Sequence, residues 1–454
     1  MKLNNLQALK IVILLTLMSC SETNKISEFD YTEEEKNEYV EKEQEDSPYF
    51  DDNAIRYEDH VYNENIKTDQ MHLTGYPLSS PIARLTSGET LTLSFDDLGT
   101  DVEDYYYKII HCDAKWNPTD LLENQYIEGF FSDVITDYDF SFNTLIQYVH
   151  YELQFPNRNM SAKISGNYII LVMRDNEEDQ PVLSKRFMLV ENSVAIVPKV
   201  RRAPSNADRN YKQLVEFEIQ HASFPIVNPY RDLEVVVRQN ERWDNALYDL
   251  KPIYIKDKRL IYESQNKYSF AGGNEYRFFN LRSIRYQTEQ VQSIVQEEDG
   301  FHAWLTPYGK RRFSVYTTRF DINGRYEIKT TDAFDSKVEA DYVKVHFTLP
   351  YDEPELDANL YVMGGFSDRQ THKGNQLFYN EQLNQYETEI ILKQGYYDYQ
   401  YVMLKDGDSQ INATHIEGSH FATENGYDIL VYFKDISDDY QRLIGARVFG
   451  SQDF

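Results

Sequence analysis

Apolar and polar positions alternate with a period of two through long parts of the chain. Within residues 147–155, Val149, Tyr151, Leu153 and Phe155 alternate with Tyr148, His150, Glu152 and Gln154. Val215, Phe217 and Ile219 alternate in the same way with Glu216, Glu218 and Gln220. Successive side chains of a strand point to opposite faces, so this pattern predicts strands with one buried side. Residues 91–95, 105–112, 147–155, 168–173 and 182–190 form a first group, separated by turn material such as Asp96-Asp97-Leu98-Gly99. Residues 233–238 read as a more buried strand. Residues 343–349, 360–364, 386–392, 396–403, 429–433 and 443–449 form the last group. Short strands punctuated by turns predict antiparallel sandwiches of immunoglobulin or fibronectin type. The expected fold class is therefore all-β, with three unlike sandwiches in tandem and no short repeat. Ala271-Gly272-Gly273-Asn274 reads as a hairpin turn, since no helical pattern or Lys-Ser/Thr follows it to make a phosphate loop.

The densest aromatic stretch lies between the strands at 105–112 and 147–155. It has no helical periodicity and turns most tightly at Trp116-Asn117-Pro118-Thr119-Asp120, where Pro118 fixes its own φ and Asn117 and Asp120 bond nearby backbone. Trp116, Tyr126, Phe130, Phe131, Tyr138, Phe140 and Phe142 are expected to pack as this crossing wraps one end of a sandwich. His111-Cys112-Asp113 invites a catalytic reading. Neighbours in a strand face opposite ways, however, so His111 and Cys112 form no nucleophile pair and Cys112 is expected to be a small buried hydrophobe.

Composition adds the compartment. Lys and Arg number 46 against 75 Asp and Glu, a net charge of −29, which argues against nucleic acid and anionic headgroups as partners. Lys2 and Lys10 precede a short apolar run at 11–18 that ends in Leu17-Met18-Ser19-Cys20. The run is too short to span a bilayer, and the ending fits a lipobox with Cys20 as the lipid attachment site. Lipidation of Cys20 would leave Cys112 without an intramolecular partner. Between Glu28 and Asp59 stand fourteen acids against Lys36, Lys42 and Arg56, and few apolar residues offset the entropy of ordering them. The expected organisation is a lipoprotein signal peptide at 1–20, an acidic disordered tether at 21–72, a first sandwich carrying the aromatic crossing at 73–192, a second β domain at 193–335, and a third, early-set-like sandwich at 336–454. Pro198 and Pro204 with Arg201-Arg202 mark the junction between the first two, and Lys310-Arg311-Arg312 is expected to be a solvated turn.

No zinc, Walker, Rossmann or nucleophile-elbow motif is present. His415 and His420 with Glu417 form a weak candidate metal group. Neither a catalytic set nor a cofactor is expected, and the chain is read as no enzyme.

Ordered motifs cover most of the chain after residue 73. His-Cys-x-x-x-Trp-x-Pro-Thr-Asp-Leu begins at His111, and Tyr-x-x-Gly-Phe at Tyr126. Asp-Tyr-x-x-Ser-Phe-Asn-Thr begins at Asp137, and Tyr-x-x-Tyr-x-Leu-x-Phe-Pro-Asn at Tyr148. Ser165-Gly166-Asn167-Tyr168, Arg186-Phe187-Met188, Glu424-Asn425-Gly426-Tyr427 and Arg442-Leu443-Ile444-Gly445 continue the series. This order resembles the plug protein family of the type IX secretion system. The resemblance implies a non-catalytic protein that binds the periplasmic opening of the outer-membrane β-barrel translocon and seals it when no substrate is present. It further implies a lipid-anchored position on the periplasmic side of the outer membrane. The signature positions His111, Cys112, Trp116, Pro118, Asp120, Tyr126, Gly129, Phe130, Phe142, Asn143, Tyr151 and Pro156 are expected to be structural. Residues 360–368 and 395–401 resemble the early-set sandwich of starch- and glycogen-binding modules, which suggests a carbohydrate-binding outer-membrane lipoprotein as the alternative. Trp116, Trp243 and Trp304 all lie outside 336–454, which speaks against it. A hydrolase on a β scaffold is the third reading.

Overall fold

The computed structural model describes residues 54–453 apart from 100, 176–179 and 264–267. Cys20, the signal segment and most of the acidic leader lie outside the described residues. Strands dominate, and among the described residues the buried apolar side chains gather into three large cores.

The first core lies between two sheets. One runs His60–Val61, Pro181–Val190, Gly166–Arg174, Tyr105–Cys112, Asp133–Val134, with Ile82–Arg84 added parallel to Pro181–Val190. The other runs Ile66–Leu73, Leu91–Asp97, Val149–Phe155, Asp137–Phe140. The period-two reading is realised in Tyr105–Cys112, where Tyr105, Tyr107 and Ile109 are fully buried while Tyr106, Lys108 and Ile110 are half-buried. Phe95 stacks on Tyr151 at 5.2 Å, and Tyr105 meets Tyr151 edge-on at 4.9 Å, an arrangement favoured by the ring quadrupoles. Gly166–Arg174 is buried on both faces, because Tyr168, Ile170 and Val172 enter this core and Ile169 enters the next interface.

Two expected boundaries are corrected. Residues 54–72 are not all tether: Ile66–Leu73 pairs with Leu91–Asp97 and closes the first sandwich. Its Lys67-Thr68-Asp69-Gln70 run looks solvated in sequence. Yet Asp69 pairs with Lys185 and Thr68 shares a 2.7 Å hydrogen bond with Tyr342, so the polar groups find buried partners.

The boundary at 335/336 also moves. The second core lies between a sheet of Ala195–Arg202, Lys212–Gln220, Arg259–Tyr262 and Tyr254–Lys256 and a sheet of Leu233–Gln239, Gly426–Phe433 and Arg442–Gly450. The last two strands of the chain thus complete the second sandwich, not the third. The third core belongs to a nine-stranded sheet that starts with Arg277–Asn280 and includes Val291–Glu297, Gly300–Leu305, Tyr342–Pro350, Gln385–Lys393 and Gly395–Lys405. The third module is therefore inserted within the second. Ala271-Gly272-Gly273-Asn274 is the outward crossing rather than a hairpin, since Ser269–Ala271 pairs with Lys212–Leu214 and Arg277–Asn280 pairs in the other sheet. The returning chain runs against it, with the amide of His420 donating to the Gly273 carbonyl at 2.8 Å. A Cβ at Gly272 would sit 2.0 Å from the His420 carbonyl oxygen, which only glycine avoids.

Candidate functional site

The three modules meet at a hub of charged side chains. Glu241, just after the second-module strand Leu233–Gln239, accepts from Ser80 of the first module at 2.5 Å and from Arg325 and Arg369 of the third at 2.8 and 2.6 Å. Burial pushes its carboxyl up, but the guanidinium groups of Arg325 and Arg369 outweigh that and hold it well below the usual carboxylate range. Lys185 of the first module pairs with Asp69 and with Asp368 of the third. A second joint centres on Asp96, fully buried, which takes Lys393 at 2.6 Å, Tyr342 at 2.7 Å and His150 at 2.6 Å. Broken individually, such buried pairs leave an uncompensated charge, so they hold the modules in one arrangement.

The signature residues divide around this frame. His111 and Cys112 do face opposite ways. The His111 ring contacts Tyr126 and Tyr168, and its Nδ1 hydrogen-bonds Thr119 Oγ1 at 2.9 Å. Burial lowers its pKa to about 4, so the imidazole is neutral. Burial raises the Cys112 thiol to about 12, and it packs beside Ala114, Trp116 and Ile169 against Val236, Leu430 and Leu443 of the second module. Trp116 meets Trp243 edge-on at 5.1 Å, with the Arg186 guanidinium 4.6 Å from its ring centre. Tyr126 and Tyr151 are buried in the first core, and Pro156 is half-buried. Gly129 has φ +100°, and a Cβ there would meet the Asn159 carbonyl at 2.0 Å. Trp116→Ala is expected to destabilise the protein by about 3–5 kcal/mol, as truncation of a buried aromatic does. Chemical unfolding of variant and wild type measures the difference.

Pro118, Asp120, Phe130, Phe142 and Asn143 are exposed. The expectation that the crossing packs away its aromatics holds for Trp116 and Tyr126 but fails for five others. Phe130 is 60% exposed, Phe140 58% and Phe142 68%, and Phe131 and Tyr138 join them in solvent. The strand Asp137–Phe140 is exposed at every position because it is the outermost of its sheet. The backbone beneath is nevertheless fixed. The Phe142 amide donates to the Val338 carbonyl at 2.8 Å, and the Leu145 amide to Asp341 at 2.7 Å, both across to the third module. A held segment that keeps large apolar rings in water has the character of a contact surface.

Other candidates separate. Glu417 is buried between Arg277 and Arg311 at 2.8 and 2.6 Å, whereas His415 pairs with Glu355, so the weak metal group is not assembled. Arg311 is thereby an internal partner rather than part of a solvated turn. The third sheet does carry a tryptophan, since Trp304 lies opposite His346 in it. One face of that indole is covered by the His346 ring at 4.5 Å, nearly parallel. The hub residues were missed in sequence because Glu241 and Arg369 are 128 positions apart and share no motif.

The model for the family described as "Type 9 secretion system plug protein 1st domain" matches residues 66–191, beginning at the strand Ile66–Leu73 and ending with the first module. The chain belongs to the type IX secretion system plug family. A crystal structure of a hypothetical protein from Parabacteroides merdae at 2.30 Å resolution is similar over 87% of this chain and 100% of that chain, with 34% identity and a TM-score of 0.84. A partial N-terminal region of an enterococcal surface protein matches at 8% identity over 88% of this chain and 97% of its own, with a TM-score of 0.19, and carries no argument. No curated protein matches. Membership in the plug family and the all-β fold suit a non-catalytic protein with a role in type IX secretion.

Proposed function

We propose that this plug-family protein closes the periplasmic opening of the outer-membrane β-barrel translocon of type IX secretion while no substrate occupies it. The family match over residues 66–191 carries the reading, and the matched module holds Phe130, Phe140 and Phe142 in solvent. Blocking a wide pore needs bulk, a fixed shape and a contact surface. Three modules joined through Glu241, Lys185 and Asp96 supply the fixed shape, and Phe130, Phe140 and Phe142 supply apolar contact. A lipid on Cys20 would keep the protein at the periplasmic face of the outer membrane, concentrated near its partner.

The test is uptake of a large polar dye or antibiotic in four strains: wild type, plug deletion, barrel deletion and the double deletion. Leakage is expected in the plug deletion alone, since without the barrel there is no hole to close. Equal leakage with and without the barrel would refute the reading, as would none in either.

A further inference from the structure

We propose that His302, His346 and Glu389 form a zinc-binding site on the outer face of the third module's sheet. The strands place them together. Gly300–Leu305 runs parallel to Tyr342–Pro350, with His302 opposite Lys344 and Trp304 opposite His346. Gln385–Lys393 runs antiparallel on the other side, with Glu389 opposite His346. Ala303, Leu305, Val343, Val345 and Phe347 enter the core, so alternation turns His302, His346 and Glu389 the other way.

The donor atoms converge. His302 Nδ1 lies 2.9 Å from His346 Nε2, and Glu389 Oε2 lies 3.5 Å from that same nitrogen. All three ligand atoms fall within 4.8 Å of one another. Zinc binds imidazole nitrogen at about 2.0–2.1 Å, so two tetrahedral nitrogens stand about 3.3 Å apart. The pair needs to open by only about 0.4 Å to admit the ion.

The hydrogen bonds around His302 suit a metal. Asp299 Oδ1 lies 2.9 Å from His302 Nε2, and Asp299 is held in turn by Lys344. A carboxylate paired with Lys344 is an acceptor only. The proton of His302 therefore sits on Nε2, and the Nδ1 lone pair points at His346. A carboxylate behind a ligating imidazole fixes its tautomer and raises its basicity, as second-sphere partners of zinc do. Trp304, stacked on His346, fixes the ring's plane. Two imidazoles and one carboxylate favour zinc over magnesium or calcium, which take all-oxygen sets. Three protein ligands leave one tetrahedral position for water or for a donor from another molecule.

The untagged full chain, stripped with chelator, is titrated with zinc chloride by calorimetry in excess magnesium. One saturable site is expected, and zinc should raise the thermal midpoint because it binds the folded state. His346→Gln and Glu389→Gln should each weaken binding at least tenfold, and Asp299→Asn about 10–100-fold with stoichiometry kept. Glu389 is exposed, so its variant tests the site even if His346→Gln fails to fold. His415→Gln should leave affinity unchanged. Absence of saturable binding overturns the proposal. So does wild-type affinity in folded Glu389→Gln and Asp299→Asn, which would put the ion elsewhere.

Discussion

Glu241→Gln is expected to lower the stability of the folded protein by about 3–5 kcal/mol, the usual effect of removing one partner from a buried ion pair. The substitution keeps the volume of the side chain and an acceptor for Ser80. What it removes is the negative charge facing Arg325 and Arg369, whose side chains are only 20% and 18% exposed. Glu241 belongs to the second module and the two arginines to the third, so the loss falls on the junction between those two, while the hydrogen bond to Ser80 of the first is kept. The thermal midpoint should drop by several degrees, at less than about 2–4 °C per kcal/mol because the chain is longer than 250 residues. The pH dependence has a definite sign. The folded pKa of Glu241 is depressed below its unfolded value of about 4.3. Its contribution is therefore present above that value and is lost as pH falls through the folded pKa. The wild-type midpoint should thus fall toward that of Glu241→Gln on acidification. Scanning calorimetry at neutral and acid pH reads both effects. A wild-type midpoint in the variant at neutral pH would show that the guanidinium groups find solvent instead.

What was legible beforehand follows from range. Val149–Phe155 and Lys212–Gln220 announce themselves as strands because apolar and polar residues alternate along them, although the structure also buries His150 and Glu216 of the polar sets. The all-β class follows from many such segments. The insertion of the third module does not. Gly426–Phe433 reads as a buried strand whichever sheet it joins, and its actual neighbour Leu233–Gln239 lies almost two hundred residues earlier. Ile66–Leu73 is obscured for a different reason: Asp69 and Thr68 look like solvated residues until Lys185 and Tyr342 are brought to them. The hub is illegible on the same ground, since single charges in a chain of net charge −29 carry no pairing information. The zinc site left a trace in His302-Ala303-Trp304 and Lys344-Val345-His346, each placing its two outer residues on one face. Only the register shows that the two faces are the same. Phe130 and Phe142 show the converse limit, because composition does not tell a buried aromatic from an exposed one.

Replacing Phe130, Phe140 and Phe142 together by serine is expected to leave the fold intact and to weaken binding to the barrel translocon by at least about a hundredfold. Each ring is more than half exposed, and exposed substitutions usually move stability by no more than about 0.5 kcal/mol. The segment's shape rests instead on backbone bonds to Val338 and Asp341, which serine leaves untouched. Binding differs. Aromatic anchors at the centre of an interface contribute about 2 kcal/mol or more apiece, and about 2.7 kcal/mol lost already lowers affinity a hundredfold. Pre-fixed backbone would reduce the entropy lost on docking. Pull-down of the purified barrel by wild type and variant, with thermal midpoints measured in parallel, separates the two quantities. A stable variant that binds as wild type would move the contact elsewhere, and Phe313, Val315 and Phe320, each at least 85% exposed on the third module, are the next surface to replace. A destabilised variant would show that the rings pack more than their exposure indicates. The contrast with Glu241→Gln is the decisive comparison: one substitution should loosen the body while leaving its contact residues in place, the other should blunt the contact while leaving the body sound.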